Sequence, residues 1–142
     1  VEFALAFPLL LLLLMGIFDF GLMFQQYEVL TNAAREGARI AVLPDYQGAN
    51  LTANVTARVG QYIDASFLSM GGTVTTDTPV KTQVSMGAGL CFDTYTVTVH
   101  YFHNYLFVGG ILNYFSGGAW PDSKRLTASS AMRSEVAATG CP

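Results

Sequence analysis

Charge is what this sequence has least of. Asp, Glu, Lys and Arg make up only 12% of its 142 residues, about half the usual share. The seven basic residues leave a net charge of −3 and form no cluster, so the cationic footprint of a nucleic-acid binder is missing. Nucleic acid is not an expected partner. Cysteine is nearly absent too: Cys91 and Cys141 stand alone, without the C-x-x-C or Cys/His spacing of a zinc site. There is no G-x-S-x-G elbow, Walker loop or H-E-x-x-H. Asp77, Asp93 and Asp122 sit in turn contexts, where such side chains bond the local backbone, and the D-x-D ladder of calcium loops is lacking. His100 and His103 form an H-x-x-H, but on a strand they point to opposite faces. They are expected as surface or half-buried histidines, not as joint ligands. These absences lead us to expect no catalytic residues, no cofactor and no metal: the chain is not expected to be an enzyme.

What is abundant is one apolar stretch. Between Glu2 and Asp19 every residue is apolar, Gly or Pro. Past Asp19 the pattern turns amphipathic. Tyr27, Leu30, Ala34, Gly37, Ala38 and Ala41 fall on one arc of a helical wheel, and Glu28, Thr31, Asn32, Arg35, Glu36 and Arg39 fall opposite. That is one helix in two solvents: lipid or protein core first, water along one side afterwards. Over residues 2–42 it would be about 60 Å long at ~1.5 Å per residue. A bilayer core takes about 30 Å, so half of the helix must project. Gly16 and Gly21 flank Asp19 and mark the one place where it could unwind, although lipid favours a continuous helix.

These residues carry a resemblance. Val1-Glu2-Phe3-Ala4 with Pro8, the acid Asp19 after the leucine run, and Asn32-Ala33-Ala34-Arg35-Glu36-Gly37-Ala38-Arg39 resemble the TadE-like family of pilins and pseudopilins from tight-adherence (Tad, type IVc) pilus systems. Glu2 departs from the pattern, since such precursors are usually cut after a Gly some residues upstream of the Glu. The chain starts at Val1 instead of Met, so a leader is expected to have been removed. The resemblance implies a structural subunit that waits in the inner membrane and then joins an extracellular bacterial filament. Its implied partners are copies of itself, the membrane, other pilus-assembly proteins and a prepilin peptidase. The alternative is a monomeric membrane-anchored protein assisting pilus assembly. The resemblance also implies that Glu2 neutralises a Val1 amine, its own or a neighbour's. Asp19 has no cation close in sequence. It needs either a staggered neighbour's arginine or a protonated carboxyl bonded to a carbonyl. Val1, Glu2 and Asp19 are thus the expected assembly residues.

The rest of the chain reads as one head. Residues 1–43 form the anchor segment and 44–142 a globular α+β unit. Pro44 ends the first helix. A second runs from about Asn50, its expected cap, to Ser69, with Leu51, Val55, Val59, Tyr62, Ile63 and Phe67 at helical spacing. Three antiparallel strands follow: an edge strand over 73–86 that bends or breaks near Pro79, a clear one over 94–102, and a last one over 126–133. In the second, Tyr95, Val97, Val99 and Tyr101 alternate with polar residues. The fold class is α+β: a long hydrophobic helix, a second helix beside it and a small three-stranded sheet. Residues 105–115, YLFVGGILNYF, are too apolar for an ordinary loop. They either cap the head's core or form a subunit contact. In an exported protein Cys91 and Cys141 read as one disulfide, the alternative being two free thiols.

Overall fold

The computed structural model describes residues 2–66, 72–87, 90–119, 121 and 123–137. Helix α1 (Glu2–Ala41) is a single 40-residue α-helix that passes through Pro8, Gly16 and Gly21 without unwinding. Leu43 and Pro44 then turn the chain through a short 3-10 segment, Pro44–Tyr46. Helix α2 (Leu51–Ala65) follows. Asn50 occupies its N-cap position, but its side chain makes no capping bond, contrary to expectation. The expected stretch as far as Ser69, Phe67 included, lies outside the described residues.

The sheet has four strands, not three: β1 (Val74–Thr76), β2 (Val80–Gly87), β3 (Leu90–Asn104) and β4 (Ser123–Ala137). The break expected near Pro79 is the physical reason. Strands β1 and β2 lie end to end along the same edge of β3, with Thr76 opposite Val99 and Val80 opposite Thr96. Three residues, Asp77-Thr78-Pro79, thus face two on β3. Pro79 has no N–H to give to the ladder, while the Asp77 N–H still reaches the Thr98 carbonyl at 3.0 Å. Strand β4 lines the other edge, antiparallel from Asn104↔Ser123 to Phe92↔Ala137. Asp93, expected in a turn, lies inside β3 and pairs with Lys81 at 2.8 Å.

The core forms where the second half of α1 meets α2 and the inner face of the sheet. Leu30, Ala33, Ala34, Ala38 and Ala41 pack there with Val55, Val59, Ile63, Tyr95, Val97, Val99 and Tyr101. Alternation along β3 puts its inner face where the sequence predicts. Tyr27 is the exception on α1, half exposed. The alanines and Gly37 let neighbouring backbones come close. A Cβ on Gly37 would lie 2.8 Å from Val59 Cγ2 and 3.2 Å from Val97 Cγ1, so α2 and β3 both converge on this one residue. Arg58 of α2 adds a surface ion pair to Glu36 of α1, at 2.6 Å, worth at most about 1 kcal/mol.

The convergence at Gly37 sets an expected outcome. Gly37→Leu should lower the head's stability by about 2 kcal/mol through overpacking, although losing a mid-helix glycine favours the helix by about 1 kcal/mol. Thermal unfolding of the full chain in detergent reads the result. A midpoint at or above the parent's would show that α2 and β3 move apart freely.

Candidate functional site

Asp19 sits between Phe18 and Phe20, both exposed and apolar. Gly37 lies eighteen positions further along, which is five full helical turns at ~100° per residue. Asp19 therefore points the same way as the core-facing stripe, toward the head and away from the exposed phenylalanines. Gln26 lies two turns further along and shares that direction. Both are buried, Asp19 at 2% and Gln26 at 7% exposure.

What meets Asp19 is the backbone leading into a short third helix, α3 (Val108–Phe115). Its Oδ1 accepts the Leu106 N–H at 3.1 Å, and its Oδ2 accepts those of Phe107 and Val108 at 3.0 and 2.7 Å. The first N–H groups of a helix have no partner within it, and a carboxylate at that end also meets the positive end of the helix dipole. Asp19 acts as a cap borrowed from another helix. The expectation of a neighbour's arginine or a carbonyl-bonded acid is corrected here: three amides of its own chain satisfy the carboxyl. Beside it, Val108 of α3 comes near Gly16: a Cβ on Gly16 would lie in ordinary contact, 3.9 Å from Val108 Cγ2.

One step further up, Gln26 Nε2 donates to the Tyr101 hydroxyl at 3.5 Å, and its Oε1 bonds His103 Nδ1. The His103 ring meets Tyr105 edge-on at 5.3 Å between centroids. Its Nε2 is buried with no hydrogen-bond partner among the described residues. Tyr101 reaches this position because Gly72 has no side chain: a Cβ there would collide with the Tyr101 ring and the Phe102 carbonyl. Asp19, Gln26, Tyr101 and His103 thus make a polar seam between anchor and head.

The two histidines do lie on opposite faces of β3, as expected, but both are buried: His100 is 6% and His103 1% exposed. On the outer face His100 ties the strands together. It bonds Thr127 Oγ1 at 2.9 Å and Asp77 Oδ2 at 3.0 Å, with Arg125 alongside. Long side chains from β4 and the β1–β2 break cover it, which period-two reasoning on β3 alone does not foresee. Gln26 is a site residue that sequence reasoning missed. The available signal was its seven-residue spacing from Asp19 on the buried stripe.

One comparison with known families bears on this helix. Residues 1–39 match the family model described as TadE-like protein. The anchor helix is similar to the corresponding segment of that family. No curated protein and no solved structure matches the chain. The TadE-like match stops short of α2 and the sheet, so it covers the helix that carries Asp19 and Gln26 and not the amides and strands that meet them. Helix α1 is the one helix among the described residues long and apolar enough to cross a membrane. Only 6% of its most apolar 18-residue window is buried, which fits membrane anchoring. Val1, the Glu2 side chain and Cys141 lie outside the described residues, so the expected Glu2–Val1 and Cys91–Cys141 pairings do as well. Within the segment 105–115, Val108–Phe115 form α3, which rests on α1. The segment does not belong to the core cluster, which corrects the expectation that it caps the head's core.

His103 makes the seam sensitive to acid. Burial pushes its pKa below the usual value of 6.5, and the nearby Asp19 carboxyl opposes that only in part. The folded state therefore binds the proton less readily than the unfolded chain. Its contribution is complete above about pH 6.5 and is lost as pH falls through the lowered folded value. Unfolding midpoints in denaturant are expected to fall between pH 7 and 5, and His103→Gln should flatten that slope. An unchanged slope would assign it to other groups.

Proposed function

We propose that the chain is a structural subunit of a Tad-type filament on the bacterial surface, held in the inner membrane until it polymerises through the first half of α1. The observation that carries this reading is the division of one helix. From residue 30 on, α1 supplies the head's core, while Phe3, Phe7, the leucines 9–14, Ile17 and Phe18 are all exposed. Such a surface is stable in lipid or against copies of itself. The role requires neither catalysis nor cofactor. Its partners are other copies of the chain, a prepilin peptidase and the remaining assembly proteins.

The second reading is a membrane-anchored protein that assists assembly, and Asp19 favours it. Its carboxyl is satisfied inside one chain, so the anchor needs no neighbouring subunit to pair its buried acid.

Glu2→Gln separates the two. In cells carrying the pilus machinery, a filament subunit should appear in the sheared surface fraction. The variant should insert into membrane like the parent yet lose most of that fraction, because a Glu2–Val1 pair would set axial register more than net stability. A chain that stays in the membrane fraction while pili form would establish the assisting role. Normal filaments from the variant would remove Glu2 from the assembly residues.

A further inference from the structure

The surface that the head's core does not use is on α3 and the two residues before it. Leu106 and Phe107 are about half exposed, Tyr114 is 83% and Phe115 78% exposed. No charged residue occurs from Asn104 to Pro121, so no polar rim of charge surrounds these side chains in sequence. They are also not an isolated patch. Through Asp19 and the approach of Val108 to Gly16, α3 is fixed to α1 where the uninterrupted apolar run ends.

Position decides what covers them. The uninterrupted apolar run of α1 ends at Phe18, next to the Asp19 carboxylate that holds α3. Phe20 and Phe24, both more than half exposed, continue the apolar surface past Asp19, and the next charged residue is Glu28. The level of Asp19 is therefore the level of the acyl–headgroup boundary, and α3 is held at that level beside the helix. Tyr and other aromatic side chains are favoured at this depth, where one end of the ring is apolar and the other wet.

We propose that α3, with Leu106 and Phe107, is a foot by which the head sits in the boundary layer of the bilayer that α1 spans. It extends the anchor sideways with Tyr114 and Phe115, and the Asp19 cap sets its depth. Asp19 is then a positioning residue: its carboxyl satisfies the amides of a segment that has entered a water-poor layer, where unpaired N–H groups are costly. The proposal rests on the membrane anchoring of α1, which the test must read separately.

The experiment places a single tryptophan at chosen depths. The only native one is Trp120, so Trp120→Phe is the background, with Tyr114→Trp and Phe115→Trp as reporters on the foot. Ile17→Trp reports on the anchor itself. Thr82→Trp lies opposite Thr94, ten β3 positions from Asn104 and so about 33 Å up the sheet at ~3.3 Å per residue. Full-length protein is reconstituted at high lipid-to-protein ratio in phosphatidylcholine–phosphatidylglycerol vesicles. Quenching by acyl-chain-brominated lipid is compared with quenching by aqueous acrylamide.

The expected result is bromolipid quenching at positions 114 and 115 approaching that at 17, with acrylamide quenching far below that at 82. Foot reporters quenched by acrylamide as fully as position 82, while position 17 responds to bromolipid, would overturn the foot and leave the anchor standing. Reporters shielded from both quenchers, with shielding lost on dilution into more lipid, would identify a second copy as the occupant and overturn the proposal. No bromolipid quenching at 17 would show that the anchoring itself has failed, and the foot with it. Two reporters guard against one substitution disturbing α3, and amide protection at Leu106–Val108 checks that the cap is intact.

Discussion

Asp19→Ala is expected to destabilise the junction by about 2–4 kcal/mol. The side chain accepts three N–H groups at 2.7 to 3.1 Å, and each buried donor left without an acceptor costs about 1–3 kcal/mol. The cost falls near the bottom of the combined range of about 3–9 kcal/mol because Leu106 and Phe107 are themselves partly exposed, so water reaches some of the freed amides. Loss of a negative group from the start of α3 adds a few tenths of a kcal/mol. Asp19→Asn should fall between alanine and parent. Its carbonyl oxygen still accepts, but its NH2 confronts N–H groups that need an acceptor. The measurement is denaturant unfolding of the full chain in detergent, with hydrogen exchange at residues 106–108 as the local readout. Parent-like protection of those amides in Asp19→Ala would show that other groups hold α3. Filament yield and membrane insertion should be scored in parallel. If Asp19→Asn inserts and polymerises like the parent despite the weakened cap, Asp19 serves the subunit's own fold and is not an assembly determinant.

The second large effect concerns the opposite end of the sheet. Cys91 is buried at the start of β3, and the next residue, Phe92, lies across from Ala137 of β4. Arg133 stacks over the Phe92 ring at 4.0 Å, which holds the two strands together there. Cys141 is four positions beyond Ala137, a reach of about 13 Å at ~3.3 Å per residue. A Cys91–Cys141 bond is therefore expected. Closing a loop of about fifty residues should contribute roughly 4 kcal/mol on the chain-entropy account. Intact mass with and without reductant should differ by two hydrogens, and reduction should lower the unfolding midpoint. Two alkylatable thiols in the unreduced, denatured chain would withdraw the pairing.

Much of the architecture follows from local pattern. The leucine run and the stripe from Leu30 to Ala41 make one helix that is apolar all round and then on one side. The alternation of Tyr95, Val97, Val99 and Tyr101 gives a strand with one packed face, and Pro79 breaks its neighbour. These features were legible because each depends on a period within one element, 3.6 residues or two. The strand count was not, because a broken edge strand and a bent one read alike until their register against β3 is known.

The partner of Asp19 was decided by tertiary structure alone. Its direction can be read from sequence, five turns from Gly37. The donors that meet it, however, lie at residues 106–108 and are main-chain N–H groups, which every non-proline residue carries and no side-chain pattern advertises. The burial of His100 and His103 has a similar origin. Arg125, Thr127 and Asp77 cover one, and Gln26 and Tyr105 meet the other. Sequence determines which groups need partners. Only the long-range docking of α1 and α3, and of β3 between its neighbours, determines which partners are within hydrogen-bonding distance.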